Sequence, residues 1–170
     1  MAEKYLKQNA GVVTEIEATV TSAGAGNAGN IPALDSAGLL STTVMPIGIG
    51  ADTASILASE GLAAGDMVDV YDNAGAATCR KADATTSGKY AAGFVLAAVE
   101  SAANATVYFS GINNQVSGLA AGARLFLGAA TPGGVVSMAP SASGNVVQGV
   151  GRALSTTSMV FELSAPIVLA

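Results

Sequence analysis

One five-residue phrase occurs twice in this chain. Gly61-Leu62-Ala63-Ala64-Gly65 returns as Gly118-Leu119-Ala120-Ala121-Gly122. Ser87-Gly88 followed by Gly93-Phe94-Val95 is echoed, one residue out of step, by Ser143-Gly144 followed by Gly149-Val150-Gly151. An internal repeat changes the whole fold to be expected, so it constrains the chain before any single motif does, and it leaves open whether the two copies form one barrel or two.

Each copy has the same punctuation. A Gly-rich turn is followed by a strand-like segment (Met67 to Tyr71; Arg124 to Leu127) and a turn (Asp72-Asn73-Ala74-Gly75; Thr131-Pro132-Gly133-Gly134). A strand, the Ser-Gly turn, a strand, a loop and a last strand complete it, the last being Thr106 to Phe109 or Met159 to Leu163. Short strands with frequent turns predict a sandwich or barrel. Gly or Pro interrupts almost every window that a long helix would need, and Ala58–Ala64 is the one stretch compatible with a helical turn.

The expected architecture is therefore all-β: an extended N-terminal arm over residues 1–50, then a β-sandwich or barrel body over 51–170 built from two related β units. The pseudo-repeats span about 59–111 and 116–165. In the arm, Glu15, Glu17 and Thr19 alternate with Ile16, Ala18 and Val20 as on a strand. Thr21 to Asn30 reads as a flexible tract, and Leu34 to Leu39 as a turn in which Asp35 bonds its downstream backbone and Gly38 takes a positive φ.

Composition narrows the chemistry. Of 170 residues, 35 are Ala and 21 Gly, which permits strands to approach closely but leaves a modest core. There is no His, which removes the usual general base and the commonest transition-metal ligand. The single cysteine, Cys79, excludes an intramolecular disulfide and a Cys-rich zinc site. Net charge is −5, which argues against a nucleic-acid surface. The charged start, Met1 to Lys7, is unlike a secretory leader, and no apolar run approaches a membrane span.

Four patterns are answered by simpler readings. Gly24-Ala25-Gly26-Asn27-Ala28-Gly29 matches the dinucleotide fingerprint, but Pro32 follows too soon for the helix whose amides would bind pyrophosphate. Asp66, Asp69 and Asp72 do not share one strand face and read as solvated edge or turn residues rather than as a metal site. Ser87-Gly88-Lys89-Tyr90 is a fragment of a phosphate loop at most, and Asn104-Ala105-Thr106, a formal glycosylation sequon, reads as a hairpin loop. No catalytic residue, cofactor, metal or small-molecule substrate is expected.

Several segments resemble a family of tailed-bacteriophage virion proteins, the head-decoration and fibre-like proteins. They are Gly29-Asn30-Ile31-Pro32-Ala33-Leu34-Asp35-Ser36-Ala37-Gly38, Met45-Pro46-Ile47-Gly48, Ser117-Gly118-Leu119 through Pro132-Gly133-Gly134, Pro140, and Gly144 through Ser155. The resemblance implies a non-enzymatic, β-rich homotrimer, made in the host cytoplasm and carried on the outer surface of the capsid. There it would bind the major capsid protein and cement the head lattice. A tail-fibre or receptor-binding component is the alternative. Tyr5, Leu6, Val12, Val13 and Ile16 are the arm's expected partner contacts, against the competing reading that the arm packs on its own domain.

Overall fold

The computed structural model of the chain describes residues 3–45 and 51–170. The chain divides into two compact units, Met1–Gly50 and Ala51–Ala170. Apart from Met45, the Met45-Pro46-Ile47-Gly48 segment lies outside the described residues. The protein is all-β, with no helix among the described residues beyond two short 3-10 turns at Gly24–Asn27 and Thr42–Val44.

The described part of the first unit is not the extended arm expected from the sequence. β1 (Lys4–Asn9) and β2 (Val12–Glu17) form an antiparallel hairpin with Asn9 opposite Val12. Its two-residue turn places both Ala10 (φ 48°) and Gly11 (φ 86°) in the left-handed region, the geometry whose twist matches paired strands. The chain then folds back: Thr19 donates to the Ile31 carbonyl at 2.9 Å, and Ala33 donates to that of Thr19 at 3.0 Å. Local hydrogen bonding within Thr21 to Asn30 and a return along the hairpin replace the reach of a free arm.

The second unit contains the repeat. Its first copy comprises β3 (Thr53–Ala58), β4 (Met67–Asn73), β5 (Ala76–Lys81), β6 (Gly93–Val95) and β7 (Asn104–Tyr108). These pair as β5-β4-β6-β7-β3, and a short parallel contact between β3 and β5 closes the ring into a barrel. The second copy comprises β8 (Gly111–Asn113), β9 (Arg124–Leu127), β10 (Val135–Val136), β11 (Val146–Val147), β12 (Gly149–Ala153), β13 (Met159–Phe161) and β14 (Ile167–Val168). Five of these pair as β10-β9-β12-β13-β8, the same order left open, while β11 and β14 form a separate two-stranded ladder. Each topological repeat thus begins on a strand that precedes the Gly-Leu-Ala-Ala-Gly turn, so the copies extend further upstream than the recurring residues. No helical turn forms at Ala58–Ala64, where Ala58 ends β3 and is fully buried.

The recurring turn sets the equivalences. Gly65 donates to the Val95 carbonyl at 2.8 Å and Gly122 to that of Ala153 at 2.9 Å. Their strand partners, Val107 and Met159, therefore correspond. So do Ala54 and Asn113 beyond them, and Val68 and Leu125 on the other side. In the first copy Val68, Cys79, Val95, Ala105 and Val107 are buried inside the ring with Ile56, Ala58 and Leu62. In the second copy Leu125, Leu127 and Met159 occupy the matching face, with Asn113 in place of Ala54. At these positions the second copy carries more bulk than the barrel does at Val68, Val70 and Val107.

The second copy instead packs its inward face on the outer wall of the barrel. Met67, Phe94 and Tyr108 point out of the barrel and share one cluster with Leu125, Met159 and Phe161. The Phe94 ring lies 5.2 Å from that of Phe161 and 5.4 Å from that of Tyr108. Polar groups complete the seam. The buried Gln148 side chain accepts from the Ala91 N–H at 2.8 Å and donates to the Ala91 carbonyl at 3.0 Å, so it acts as a strand partner. Asn113 Nδ2 donates to the Gly65 carbonyl at 2.9 Å. Gly65 has φ 93°, and a Cβ there would overlap the Gln115 carbonyl, so the turn accepts no side chain.

Val107→Met, which gives the barrel the residue of its counterpart, should destabilise the protein by about 1–3 kcal/mol through overpacking. Met159→Val should cost a similar amount through the void it leaves. Urea unfolding monitored by circular dichroism reads both, and a neutral Val107→Met would contradict the account of closure.

Candidate partner-binding surface

The hairpin register separates the five expected contact residues. Tyr5 stands opposite Ile16, and Asn9 opposite Val12, so Tyr5, Ile16 and Val12 share one face. Leu6 stands opposite Glu15 and Gln8 opposite Val13, which puts Leu6 and Val13 on the other. Tyr5 is engaged within its own unit. Its hydroxyl donates to Asn30 Oδ1 at 3.4 Å and accepts from the Ile31 N–H at 3.3 Å. Ile16 is half-buried beside it, so for these two residues packing within the unit describes the structure. Leu6 is 75% exposed, and Val12 and Val13 are each 62% exposed.

The sequence reading missed apolar residues after the hairpin. Ile31, Leu34, Leu39 and Leu40 are all exposed. The Asp35 carboxylate accepts from the N–H groups of Ala37 and Leu39 at 2.8 and 2.9 Å, and Gly38 takes φ 76°, as the turn chemistry required. This tight turn holds Leu34 and Leu39 outward. Tyr5, Ile31, Pro32, Leu34 and Gly38 contribute to a shallow groove of about 610 Å³. The available signal was the Gly29–Gly38 stretch itself, one of the segments that carry the family resemblance.

The residues that resembled chemical motifs have structural roles. Gly24–Asn27 is a single 3-10 turn closed by Asn27 Oδ1, which accepts from the Ala23 N–H at 2.6 Å, and no helix follows. Asp66 accepts from the Ala63 N–H at 2.8 Å and faces the Lys81 ammonium at 3.5 Å. Asp72 accepts from the Gly75 N–H at 2.9 Å. Asp69, expected to be solvated, is buried and paired with Arg80 Nε at 2.8 Å, while the guanidinium lies 4.2 Å from the Tyr71 ring centre. Among the described residues no group of three or more His, Cys, Asp or Glu is placed to hold a metal ion.

Asn104 opens β7 and Ala105 is fully buried, so the sequon lies in a barrel strand and not in a hairpin loop. Cys79 sits inside the barrel, its thiol 3.9 Å from the Ile56 carbonyl. Burial pushes its pKa above the ordinary value of 9.0, because the thiolate would lose its hydration there. No protein-family model matches the chain, and no curated protein matches it.

Two outcomes follow from these placements. Asp69→Ala strands the half-buried Arg80 cation and should destabilise the fold by about 2–4 kcal/mol, read by thermal unfolding. Iodoacetamide at pH 8 should label Cys79 in the native protein about two orders of magnitude more slowly than in urea, since only an opened barrel presents a thiolate. Equal rates would place the thiol at the surface.

Proposed function

We propose that this chain is a non-enzymatic structural component of a tailed-phage virion, a homotrimeric capsid decoration protein. Its N-terminal unit binds the major capsid protein and stabilises the head lattice from outside. One observation carries the reading: among residues 3–45 none is buried, yet nine large apolar side chains are exposed. A two-stranded hairpin without a core is marginal in water. Such a unit gains its stability when another surface covers it, which suits a protein whose role is attachment.

The body supplies complementary support. Its two β copies bury their apolar side chains in the barrel and the seam between them, which makes a rigid carrier for the attaching unit. The segments resembling phage decoration and fibre proteins run through both units, and they supply the virion context of the proposal. The alternative, a tail-fibre or receptor-binding component, is favoured by the second copy alone, whose open sheet leaves two edges on which further β structure could build.

Leu6 and Val13 are exposed on the hairpin face turned away from Tyr5, so the double substitution Leu6→Asp with Val13→Asp should change stability by no more than about 0.5 kcal/mol per site. It should weaken cosedimentation with phage heads lacking the protein by at least about tenfold. Light scattering of the full chain should give three times the 16.5 kDa chain mass. A monomeric mass would overturn the trimer. Wild-type protein that binds host cells and ignores heads would transfer the reading to the fibre alternative.

A further inference from the structure

The closed copy shows what one edge of the open copy lacks. In the barrel, β3 lies beside β5, with Leu57 opposite Thr78 and Ala58 opposite Cys79. Ser59 then donates to the Cys79 carbonyl at 2.9 Å through its N–H and at 3.2 Å through its hydroxyl. Cys79 lies opposite Val70 in its ladder, just as Val135 lies opposite Leu127, so β10 is the counterpart of this part of β5. Yet β10 has a strand neighbour on one side only.

The strand that would cover β10 is diverted. β8 runs beside β13 as β3 runs beside β7, but it ends at Asn113, where β3 continues for four more residues past the equivalent Ala54. Asn113 turns away to the first copy through its bond to the Gly65 carbonyl, and its Oδ1 accepts from the Gln115 N–H at 3.0 Å. A groove of about 350 Å³ remains between the Ser117–Ala120 turn and β10. Leu119, Leu125, Val135, Val136 and Met138 line it, and no charged residue does. Leu125 belongs to the core between the copies, and Leu119 and Val135 pack against that core, so the groove continues an interface the protein already uses. Met138 stands 82% exposed at its rim.

The geometry points to β10 and this groove as an acceptor for a strand from another protein chain. The occupant is a short, extended, uncharged segment of apolar and small residues, as in Thr53–Ala58, and it pairs with the free edge of β10 as β3 pairs with β5. Main-chain hydrogen bonds supply affinity, and an apolar side chain directed at Leu119 and Leu125 supplies selection. The acceptor is a property of the body and stands whether or not the chain belongs to a virion.

The barrel strand itself supplies the probe. A synthetic peptide with the sequence of Thr53–Ser59, acetylated and amidated at its ends, is titrated into the full chain, with a peptide carrying Pro in place of Ile56 as control, and amide hydrogen exchange is followed by NMR. Without peptide, the Val135 amide should exchange much faster than the amide of its counterpart Cys79. With peptide, binding should saturate and slow exchange at Val135, whose N–H points to the free edge, and the Pro peptide should not bind. Met138→Asp, at an exposed position, should weaken binding by at least about tenfold with unchanged thermal unfolding. The proposal is overturned if Val135 is already as protected as Cys79, or if the peptide fails to bind at millimolar concentration. Binding indifferent to Met138→Asp, or protecting only the Cys79 strand by displacing β3, overturns it as well.

Discussion

The body is organised by how much bulk each copy turns inward at matched positions. In the first copy Val68, Val70 and Val107 leave space in the ring for Ile56 and Leu62, and β3 reaches β5 to close the barrel. Leu125, Leu127 and Met159 stand at those positions in the second, whose same strand order stays open and takes the barrel's outer wall as its filling. The inside of one copy and the outside of the other thus become a single core. The aromatic contacts of Phe94 with Tyr108 and Phe161 lie at its centre.

Polar side chains make that arrangement specific. Gln148 reproduces, with one amide, the two hydrogen bonds that a neighbouring strand would offer Ala91. Asn113 draws the chain toward Gly65 and away from β10. Each is buried and satisfied, so a shifted packing of the two copies would leave an amide without partners, an error costing several times an ordinary surface contact. The Asn113 turn thus links the open edge of β10 to the packing of the two copies.

The repeated Gly-Leu-Ala-Ala-Gly turn and the two-residue strand periods made the all-β class and the duplication legible in the sequence. The difference between closed and open copies was not legible, because it depends on which inward residues face which others across the ring. The leading strands β3 and β8 escaped for a related reason: their residues do not resemble one another, although their pairings do. On the candidate surface, Leu6, Val12 and Val13 are exposed, while Tyr5 is engaged by Asn30 and Ile31, a return contact that no local pattern announces. Asp69 looked like a surface acid because its partner Arg80 lies on the next strand and not beside it in sequence.

The nesting of one copy on the other also gives the body a direction in time. The barrel uses only residues up to Tyr108 for its ring, so all of its strands leave the ribosome ahead of those of the second sheet. Met67, Phe94 and Tyr108 then stand ready on its outer wall as a template, and the later strands have a shaped surface to condense on as they emerge. A circularly permuted chain, in which the second copy is synthesised first, would expose Leu125, Met159 and Phe161 with nothing to receive them. Chain order, which is invisible in the finished fold, is in this sense part of its design.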